Sequence, residues 1–464
     1  MAKFDMYRKV KKIHLVGIGG TGMCGIAEIL LEDGYRVTGS DLTASPTTER
    51  LASLGAAVHI GHQPENIGEA DVVVISSAVR EDNVEVAESR RKLVPVIRRA
   101  EMLAELMRMK FGIAVAGTHG KTTTTSMIGL VLEQAGLDPT VVVGGRLRAL
   151  GKHARRGAGE LFVAEADEFD HSFLRLSPSI AVITNIDSDH LDCYGSLAKI
   201  MEAFTEFANK VPFYGTVVAC MDDSPLVSII PRIERRLLTY GESAQADLQA
   251  GDIAYVRGGT ECLVSHLGRP LGKLTLQVPG KHNIENALAA VAVSLELGVP
   301  FDKIAAALAE FKGVHRRAEL KGEAGGRLIF DDFAHHPTEI KATLEALKRG
   351  WQRRIVAVFQ PHLYTRTRDL SAEFGGSFMQ SDVLVVTSIY GSRENPIPGV
   401  TGEMVAEAAR DRGHRQVVFH PDKETLAESL VDLSRPGDLV VTLGAGDIYR
   451  VGEKFLELLG RAKE

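Results

Sequence analysis

The amino-acid sequence predicts an α/β protein built from three domains. Its length of 464 residues corresponds to about three domains of ~150 residues each. Short apolar runs alternate with helical patterns along nearly the whole chain, as they do where helices cover parallel sheets. Two glycine-rich turns, at residues 17–22 and 117–120, each join a predicted strand to a predicted helix. We predict three domains with the ranges 1–109, 110–315 and 316–464.

The composition excludes several classes of function. A net charge of −6, with 45% hydrophobic and 25% charged residues, is ordinary for a globular protein and argues against a general nucleic-acid binder. No signal peptide is predicted, and no apolar run is long enough to span a membrane. The cysteines are too widely spaced for a zinc site or a disulfide frame; they are Cys24, Cys193, Cys220 and Cys262. We expect a cytoplasmic monomer or weak dimer with no membrane insertion and no nucleic-acid partner.

The first predicted domain begins with a nucleotide-binding signature. The strand IHLVGI leads into Gly17, Gly19 and Gly22 in the pattern G-x-G-x-x-G, and a helical pattern follows. The next strand ends in Ser40 and Asp41. An acidic residue therefore stands about 20 residues after the glycine turn, as in dinucleotide-binding βαβ units. This context predicts a Rossmann-like domain for a diphosphate-bearing nucleotide, with NAD as the default ligand.

Other polar residues are expected at the same crevice. Gly20 and Thr21 lie inside the glycine turn, and Ser76 and Ser77 follow the strand DVVVI. Ligands of open α/β sheets bind at the carboxyl ends of the strands, where these residues stand. The alternative for the two serines is a simple helix cap.

The second predicted domain begins with a phosphate-binding loop. The buried strand GIAVA is followed by Gly117, Thr118, His119 and Gly120, and a helical pattern begins at Lys121. Loop backbone N–H groups and a helix start bind phosphate, and the lysine reaches the outer phosphates of ATP. Thr122 can hold Mg²⁺, and Thr123 continues the motif. Both belong to a run of four threonines. Because threonine is a poor helix former, such a run at a helix start indicates a functional role. The sequence departs from G-x-x-x-x-G-K-[ST] at Val115, so the loop is a shorter variant.

Acidic residues follow the next two core strands. Glu165 stands at the end of ELFVAE, and His190 lies in DSDHLD after the strand IAVITNI. Acids at strand ends beside a phosphate loop are well placed to hold Mg²⁺. Residues 247–277 form short segments of alternating apolar and polar residues, which predict an antiparallel meander. In the helix that follows, Asn283 and Asn286 share one face. They could bind the edge of an adenine base or cap the helix. The second domain is therefore predicted to be P-loop ATPase-like, with a mostly parallel sheet and a small antiparallel part.

In the third predicted domain, apolar runs again alternate with helical patterns, which predicts a second Rossmann-like sheet. Its predicted strands are RLIFDDF, RRIVAVFQP, DVLVVTSIY, RQVVFH and DLVVTLGAG. Histidine, arginine and aspartate gather at successive strand ends, in the ranges 331–336, 362–368 and 390–394. This concentration indicates the rim of an active site better than scattered surface charge.

Several motifs in a fixed order resemble those of the muramyl ligases along nearly the full chain. They are AGTHGKTTTT, EADEFDHSFL, TNIDSDHLD, PGKHNIENALAA, GVHRRAE, DDFAHHPTE and QPHLYTRTRD. His119 in the phosphate loop and GIGGTGM near the amino terminus are typical of the branch that acts directly on UDP-N-acetylmuramate. The resemblance implies that the first domain binds this UDP-sugar instead of NAD.

The resemblance also implies an ATP-driven ligation with L-alanine as the second substrate. The lactoyl carboxylate of UDP-N-acetylmuramate would attack the γ-phosphate, and the amine of alanine would then attack the acyl phosphate. Positioning and charge neutralisation would do most of this work. The implied cofactors are ATP and Mg²⁺, within peptidoglycan precursor synthesis.

The same resemblance assigns roles to particular residues. Lys121 would neutralise the γ-phosphate, and Thr122, Glu165 and His190 would hold Mg²⁺. The implied ATP contacts beyond the loop are His282, Asn283 and Asn286 at adenine, Arg317 at phosphate and Asp331 at ribose. The implied alanine contacts are His335 and Arg366. The sequence departs from the family pattern at Phe333 and Leu363, both in the amino-acid pocket, and Lys199 stands too early in its helix to carry the carbamate of related ligases.

Three other functions remain open from the sequence. The first is the recycling ligase that attaches a preformed tripeptide to the same UDP-sugar. The segment SFLRLSPSIAVITNIDSDHLDCYGS favours the ligase that adds alanine over this recycling ligase. The second is a nicotinamide-dependent dehydrogenase built on the first glycine turn, which leaves Lys121 and Glu165 without a role. The third is a nucleotide-gated binding protein without catalysis.

Overall fold

The computed structural model describes residues 10–76, 78–147, 152–189, 191–392 and 394–461, with the backbone alone at 21, 145–147, 152–153 and 191–192. The chain divides into two compact units. The first comprises residues 1–251, 264–272 and 285–308, and the second comprises 252–263, 273–284 and 309–464. Among the described residues, no helix is both long and apolar enough to cross a membrane.

The amino-terminal sheet has five parallel strands in the order β3-β2-β1-β4-β5. Its strands are β1 Lys12–Val16, β2 Arg36–Asp41, β3 Ala57–Ile60, β4 Val72–Ile75 and β5 Val96–Arg98, and its helices are α1 Thr21–Glu32, α2 Pro46–Ser53, α3 Val84–Arg91 and α4 Arg99–Arg108. The central strands are short and apolar because both faces of the sheet are covered. The strand order reverses between β1 and β4, which makes a crevice at their carboxyl ends. This is the predicted Rossmann-like arrangement.

The central sheet has ten strands in the order β15-β14-β13-β12-β11-β10-β6-β9-β7-β8. Its strands are β6 Phe111–Ala116, β7 Thr140–Leu147, β8 Lys152–Arg155, β9 Leu161–Glu165, β10 Ile180–Ile183, β11 Thr216–Cys220, β12 Leu237–Gly241, β13 Leu248–Val256, β14 Gly259–His266 and β15 Arg269–Leu276. Its helices are α5 Lys121–Gln134, α6 Leu191–Tyr194, α7 Leu197–Asn209, α8 Ser224–Ile229, α9 Lys281–Glu296 and α10 Phe301–Ala309. The strands around β6 are parallel, and β8 is antiparallel to β7. Two-residue connections join β13 to β14 and β14 to β15, which only antiparallel hairpins allow. The predicted mostly parallel sheet with a small antiparallel part is confirmed.

The carboxyl-terminal sheet has six strands in the order β16-β17-β21-β18-β19-β20. Its strands are β16 Glu319–Ala324, β17 Arg327–Asp332, β18 Ile355–Phe359, β19 Val383–Val386, β20 Val417–Phe419 and β21 Leu439–Leu443, and its helices are α11 Pro337–Trp351, α12 Tyr364–Asp369, α13 Ser371–Gly375, α14 Glu403–Asp411, α15 Leu426–Leu433 and α16 Tyr449–Arg461. A hydrophobic core lies on each face. The five predicted strands are β17 to β21. The sixth, β16, is a polar edge strand antiparallel to β17, and its sequence ELKGEA lacks the apolar run that reveals a buried strand.

The three sheets confirm the predicted α/β fold class. The exact domain boundaries at 109 and 315 stay predictions. In each sheet the predicted functional residues follow the carboxyl ends of neighbouring parallel strands, so the sheet order brings residues together that are far apart in the chain.

Candidate active site

The phosphate loop connects β6 to α5 and is shaped by two glycines. Gly117 has a φ of +133° and Gly120 a φ of +84°, backbone conformations that side chains other than glycine rarely adopt. A Cβ at Gly117 would overlap the hydroxyl of Thr184, and a Cβ at Gly120 would lie 2.5 Å from Oδ1 of Asn286. The glycines are therefore required by neighbouring side chains as well as by the turn.

Residues after β10 hold this loop by hydrogen bonds. The His119 N–H donates to Oδ1 of Asn185 over 2.8 Å, and the Asn185 side-chain amide donates to the His119 carbonyl over 3.0 Å. The Asp187 N–H donates to the Thr118 hydroxyl over 2.9 Å. Asp187 also lies 3.1 Å from Nε2 of His119. The strand order, with β10 beside β6, thus fixes the loop backbone before any ligand binds.

Lys121, the first residue of α5, folds back onto its own loop. Its Nζ donates to the carbonyls of Gly117 and Thr118 over 2.5 and 3.0 Å and lies 2.8 Å from the carboxylate of Glu168. The side chains of Lys121 and Glu168 are 17% and 4% exposed. Burial by itself lowers the pKa of Lys121, but the nearby carboxylates of Glu168 and Asp167 outweigh it and raise this pKa overall. The lysine is held as a cation at the loop.

Thr122 and Glu165 meet beside this lysine. Glu165 ends β9, accepts the Gly144 N–H over 2.8 Å and is hydrogen-bonded to Thr122. Burial raises the pKa of Glu165, and these two hydrogen bonds oppose that shift. Hydroxyl and carboxylate oxygens are ligands that Mg²⁺ prefers, so the donor set fits the predicted ion. The third predicted ligand, His190, lies outside the described residues.

Asn286 contacts the phosphate loop from α9. Its Oδ1 accepts the Thr124 hydroxyl over 3.1 Å, and both side chains are buried. Thr123, the remaining loop threonine of the prediction, is buried as well. On the same helix, Asn283 donates its amide to the Pro279 carbonyl over 2.7 Å. Asn283 therefore supports the local backbone and Asn286 holds a side chain of α5, and their contact with adenine stays a prediction.

The first glycine loop, between β1 and α1, is organised by an acid. The Gly19 N–H donates to Oδ2 of Asp41 over 2.8 Å, and a Cβ at Gly19 would lie 2.9 Å from the same oxygen. A Cβ at Gly17 would lie 3.1 Å from the Ser76 hydroxyl. The structure thus brings Asp41 and Ser76 to the glycine turn, as predicted from the strand ends. Gly20 and Gly22 lie in the same turn and the first turn of α1, whereas Ser77 and the side chain of Thr21 lie outside the described residues.

Ser40 belongs to a buried network of the amino-terminal sheet. Its hydroxyl donates to Oε2 of Glu85 over 2.6 Å and lies 3.0 Å from Nδ1 of His62. The other carboxylate oxygen of Glu85 accepts the Asn66 amide over 2.6 Å. Burial would raise the pKa of Glu85, but hydrogen bonds from His14, Ser40 and Asn66 lower it to about 2. Ser40 is fully buried, so its predicted contact with the UDP-sugar needs a change in this network.

In the carboxyl-terminal sheet, Asp331 is engaged by Arg316. Nε of Arg316 lies 2.9 Å from Oδ2 of Asp331, and the Thr442 hydroxyl donates to Oδ1 over 2.7 Å. Burial raises the pKa of Asp331, and the charge of Arg316 opposes that shift. The Arg316 guanidinium also donates to the Gly444 carbonyl over 2.7 Å and lies 4.7 Å from the ring centre of Tyr449. Asp331 therefore has partners of its own at the position predicted for ribose.

Arg317 and His282 both lie in the second compact unit. Arg317 pairs with Glu339 at 3.4 Å and lies 5.4 Å from the ring centre of Phe333. Burial and, secondly, the charge of Arg317 lower the pKa of His282 to about 4. His282 is therefore neutral at physiological pH, which suits an uncharged contact better than a phosphate contact.

His335 and Arg366 are connected through His362. Nδ1 of His335 lies 3.0 Å from the Phe333 carbonyl, which can only accept, so Nδ1 carries a proton and, in the neutral ring, Nε2 is the acceptor nitrogen. The rings of His335 and His362 meet edge to face at 5.6 Å between centres, and Arg366 donates to Nδ1 of His362 over 3.2 Å. The structure thus brings together the two residues that the sequence assigned to alanine.

Comparisons with known proteins identify the family. A curated relative from Geobacter sulfurreducens (strain ATCC 51573 / DSM 12127 / PCA), named UDP-N-acetylmuramate--L-alanine ligase, is 54% identical over 462 residues, which is 99% of this chain and 100% of the relative. The chain belongs to the Mur ligase family. The Mur ligase family, catalytic domain model matches residues 12–111, the Mur ligase middle domain model 115–294 and the Mur ligase, glutamate ligase domain model 316–446.

Solved structures of Mur ligases share the fold over the full length. The crystal structure of UDP-N-acetylmuramate-alanine ligase from Thermotoga maritima has a TM-score of 0.82 and 30% identity, covering 98% of this chain and 100% of that chain. A murein peptide ligase from Psychrobacter arcticus 273-4 has a TM-score of 0.71 and 25% identity, covering 97% of this chain and 99% of that chain. The predicted membership of the muramyl ligases is confirmed.

Sequence reasoning missed several residues that shape this Mur ligase site. Asn185, Glu168 and His362 stand within motifs that the sequence analysis quoted, and their position after a core strand was a usable signal. The sequence analysis chose Arg317 and not Arg316 as a site residue, because a sequence does not show the side-chain directions of two adjacent arginines. Glu85 gave no signal, since an acid near the start of a polar helix is usually solvated.

Proposed function

We propose that this chain is an ATP-dependent ligase that joins L-alanine to UDP-N-acetylmuramate through an acyl phosphate. The observation that carries the proposal is the full-length similarity to relatives named UDP-N-acetylmuramate--L-alanine ligase, five of which share 52–54% identity over 98–99% of this chain. The geometry of the phosphate loop supports the ATP-dependent part independently of those names.

The first step is transfer of the γ-phosphoryl group. An oxygen of the lactoyl carboxylate attacks γ-phosphorus, the bond to the β-phosphate oxygen breaks, and ADP leaves. Lys121 is the cation for the charge on the transferring group, and its pairing with Glu168 at 2.8 Å holds it at the loop until phosphate oxygens replace the carboxylate. The loop residues 117–123 form the rest of the phosphate site that we propose.

Mg²⁺ is the proposed metal cofactor, held by Thr122, Glu165 and His190. When bound, the ion would neutralise charge on the phosphates of ATP. The hydrogen bond between Thr122 and Glu165 supports the choice, because it brings two oxygen donors of the right type together. We further propose His282, Asn283, Asn286, Arg317 and Asp331 as the contacts of adenine, phosphate and ribose. A neutral His282, with a pKa of about 4, suits the base.

The second step is attack by the amine of alanine on the acyl carbon, with loss of inorganic phosphate. The alanine ammonium must first lose a proton, and His335 has its acceptor nitrogen at Nε2 for this task. Arg366 is the proposed partner of the alanine carboxylate, because a guanidinium fork matches that group. Arg366 donates to Nδ1 of His362 over 3.2 Å, and the His362 ring contacts that of His335, so the proposed carboxylate and amine contacts are neighbours.

The UDP-sugar is proposed to bind the first glycine loop. The residues are Gly17, Gly19, Gly20, Thr21, Gly22, Ser40, Asp41, Ser76 and Ser77. A Rossmann-like crevice with a glycine turn at the carboxyl end of β1 supports diphosphate binding. The chain is proposed to act in the cytoplasm as a monomer or weak dimer, with domains at 1–109, 110–315 and 316–464.

The rival proposal is a ligase that attaches a tripeptide to the same UDP-sugar. The murein peptide ligase from Psychrobacter arcticus supports it with 25% identity, against 54% for the alanine-type relative, so the alanine enzyme is favoured. A nicotinamide-dependent dehydrogenase gains no support, since Lys121 and Glu168 form a phosphate-transfer loop that it would not use.

The deciding experiment measures ADP release with each substrate omitted in turn. We expect ADP only when ATP, UDP-N-acetylmuramate and L-alanine are all present. Faster release with the tripeptide than with alanine would establish the rival. NADH binding without substrate-dependent ADP release would establish the dehydrogenase.

A further inference from the structure

A cavity of about 230 Å³ lies where α4 begins, within the first compact unit. Three arginines line it, namely Arg98, Arg99 and Arg175, and so does the 3₁₀ segment Phe169–Arg175. Among the described residues that line it, Asp170 is the one acid. A concave site with a surplus of guanidinium groups favours an anionic ligand.

Arg99 connects this cavity to the first glycine loop. A Cβ added to Gly22 would lie 2.5 Å from Nη1 of Arg99 and 3.0 Å from its Cζ, so the guanidinium packs directly on the backbone of that glycine. Gly22 is in the first turn of α1, and Arg99 is itself the first residue of α4. The charge of the arginine therefore adds to the partial positive charge of two helix starts.

The partners of these arginines are weak and replaceable. Nη2 of Arg99 lies 3.3 Å from Oδ2 of Asp167, and the two side chains are 23% and 43% exposed. Arg98 pairs with Glu81 at 3.6 Å, and both of those side chains are more than half exposed. Exposed pairs of this length contribute little to stability. A phosphate oxygen can therefore replace Asp167 at Arg99 at small cost.

We propose that Arg99 is a ligand of the diphosphate of the UDP-sugar, and that a phosphate oxygen takes the place of Asp167 in its guanidinium fork. This proposal rests on the proposed function. The diphosphate is preferred over the lactoyl carboxylate of the same substrate because the Arg99 guanidinium packs against Gly22, where the first glycine loop enters α1. The lactoyl carboxylate must instead reach γ-phosphorus beside Lys121.

The test is a titration of the full-length protein with UDP-N-acetylmuramate and with UDP-N-acetylglucosamine, which has the diphosphate but no lactoyl group. In Arg99→Met we expect the affinity for both sugars to fall by about tenfold to a hundredfold, the loss of one charge-assisted contact. Arg99→Lys should recover part of the affinity, since it keeps the charge but loses the fork. Arg108→Met, at the far end of the same helix, is the matched control and should bind both sugars like the wild type.

A second variant tests the same contact without removing the arginine. Gly22→Ala places a Cβ against the guanidinium, and alanine favours the helix at this position, so the variant should fold. We expect weaker binding of both sugars in Gly22→Ala and little further loss when it is added to Arg99→Met, because the two changes act on one interaction. Thermal unfolding of each variant checks the fold.

The titrations and the ADP assay together have five outcomes. Equal losses for the two sugars support the proposal. A loss confined to UDP-N-acetylmuramate overturns it in favour of the lactoyl carboxylate, and unchanged affinity for both sugars overturns it while the proposed function stands. A wild type that binds neither sugar overturns both. If the wild type binds the sugars but releases no alanine-dependent ADP, the proposed function fails and the same titrations still decide the role of Arg99.

Discussion

The two glycine loops have the same local architecture but opposite charges at their centre. In the first loop the Gly19 N–H donates to the carboxylate of Asp41 over 2.8 Å. In the second, the loop carbonyls of Gly117 and Thr118 accept from the cation of Lys121. Each loop follows a buried parallel strand and precedes a helix, so strand, turn and helix alone do not determine which chemistry a loop serves.

The buried glutamates near the two loops differ in the same way. Glu85 is surrounded by His14, Ser40 and Asn66, which saturate its carboxylate inside the amino-terminal sheet. Glu168 faces the phosphate-loop lysine at 2.8 Å. We propose that the first loop binds a diphosphate through its backbone, whereas the second supplies the cation for a transferring phosphoryl group. The predictions below test this division between binding and transfer.

The largest effect is expected at the cation of the second loop. Lys121→Ala should lower kcat by about 10²–10³-fold, the cost of one electrostatic contact to a transition state. UDP-sugar affinity should stay within a factor of about two, because that site belongs to the first loop. Steady-state kinetics and direct titration measure the two quantities, with Lys210→Ala as control, since Lys210 is a partly exposed lysine that pairs with Glu206 at 3.3 Å. An equal loss of sugar affinity would mean that the two loops have been assigned the wrong way round.

Glu85, a buried residue of α3 beside the amino-terminal sheet, is expected to act on stability. The pKa of Glu85 is about 2 in the folded protein against an ordinary value of 4.5. A lowered carboxyl pKa stabilises the fold above the unfolded value, and this contribution is lost as the pH falls from about 4.5 towards 2. The loss amounts to at most about 3 kcal/mol at ~1.36 kcal/mol per pKa unit. Chemical denaturation at several pH values measures the free energy of unfolding. As the pH falls into the acid range, this free energy should decrease less in Glu85→Gln than in the wild type. An equal decrease in both proteins would contradict the assignment.

The alanine site is expected to be independent of both loops. Arg366→Ala should raise the KM for alanine by about tenfold to a hundredfold, which is roughly 1.5–3 kcal/mol for a lost charge-assisted pair. The KM values for ATP and the UDP-sugar should change little. Arg368→Ala is the matched control, because Arg368 is a neighbouring arginine that pairs with Asp369 at 2.7 Å. If the control raises the KM and Arg366→Ala does not, the carboxylate binds at Arg368.

The smallest effect is expected at the first glycine loop. Gly19→Val introduces a Cβ 2.9 Å from Oδ2 of Asp41 and should crowd the backbone approach to the diphosphate. We expect UDP-sugar affinity to fall by roughly fivefold, about 1 kcal/mol for one hydrogen bond, with ATP affinity unchanged. Isothermal titration with each nucleotide measures both. If NADH and not the UDP-sugar stabilises the wild type, the first loop belongs to a nicotinamide-dependent dehydrogenase.

The sequence by itself determined the fold class, both glycine loops and the types of residue at the strand ends. These follow from local signals, because apolar runs and glycine turns reveal strands and tight turns without reference to distant residues. Ordered motifs such as GTHGKTTTT and DDFAHHPTE were sufficient to predict the family. The edge strand β16 was missed, since a polar edge strand carries no apolar pattern.

The tertiary structure decided which side chain meets which. Glu168 and Lys121 are 47 residues apart, and Asn286 reaches Thr124 across 162 residues, so no spacing rule predicts either contact. The same holds for Ser40, which the sequence places at a ligand crevice and the structure ties to the buried Glu85. Strand order and helix packing set these distances, and a local sequence pattern contains neither.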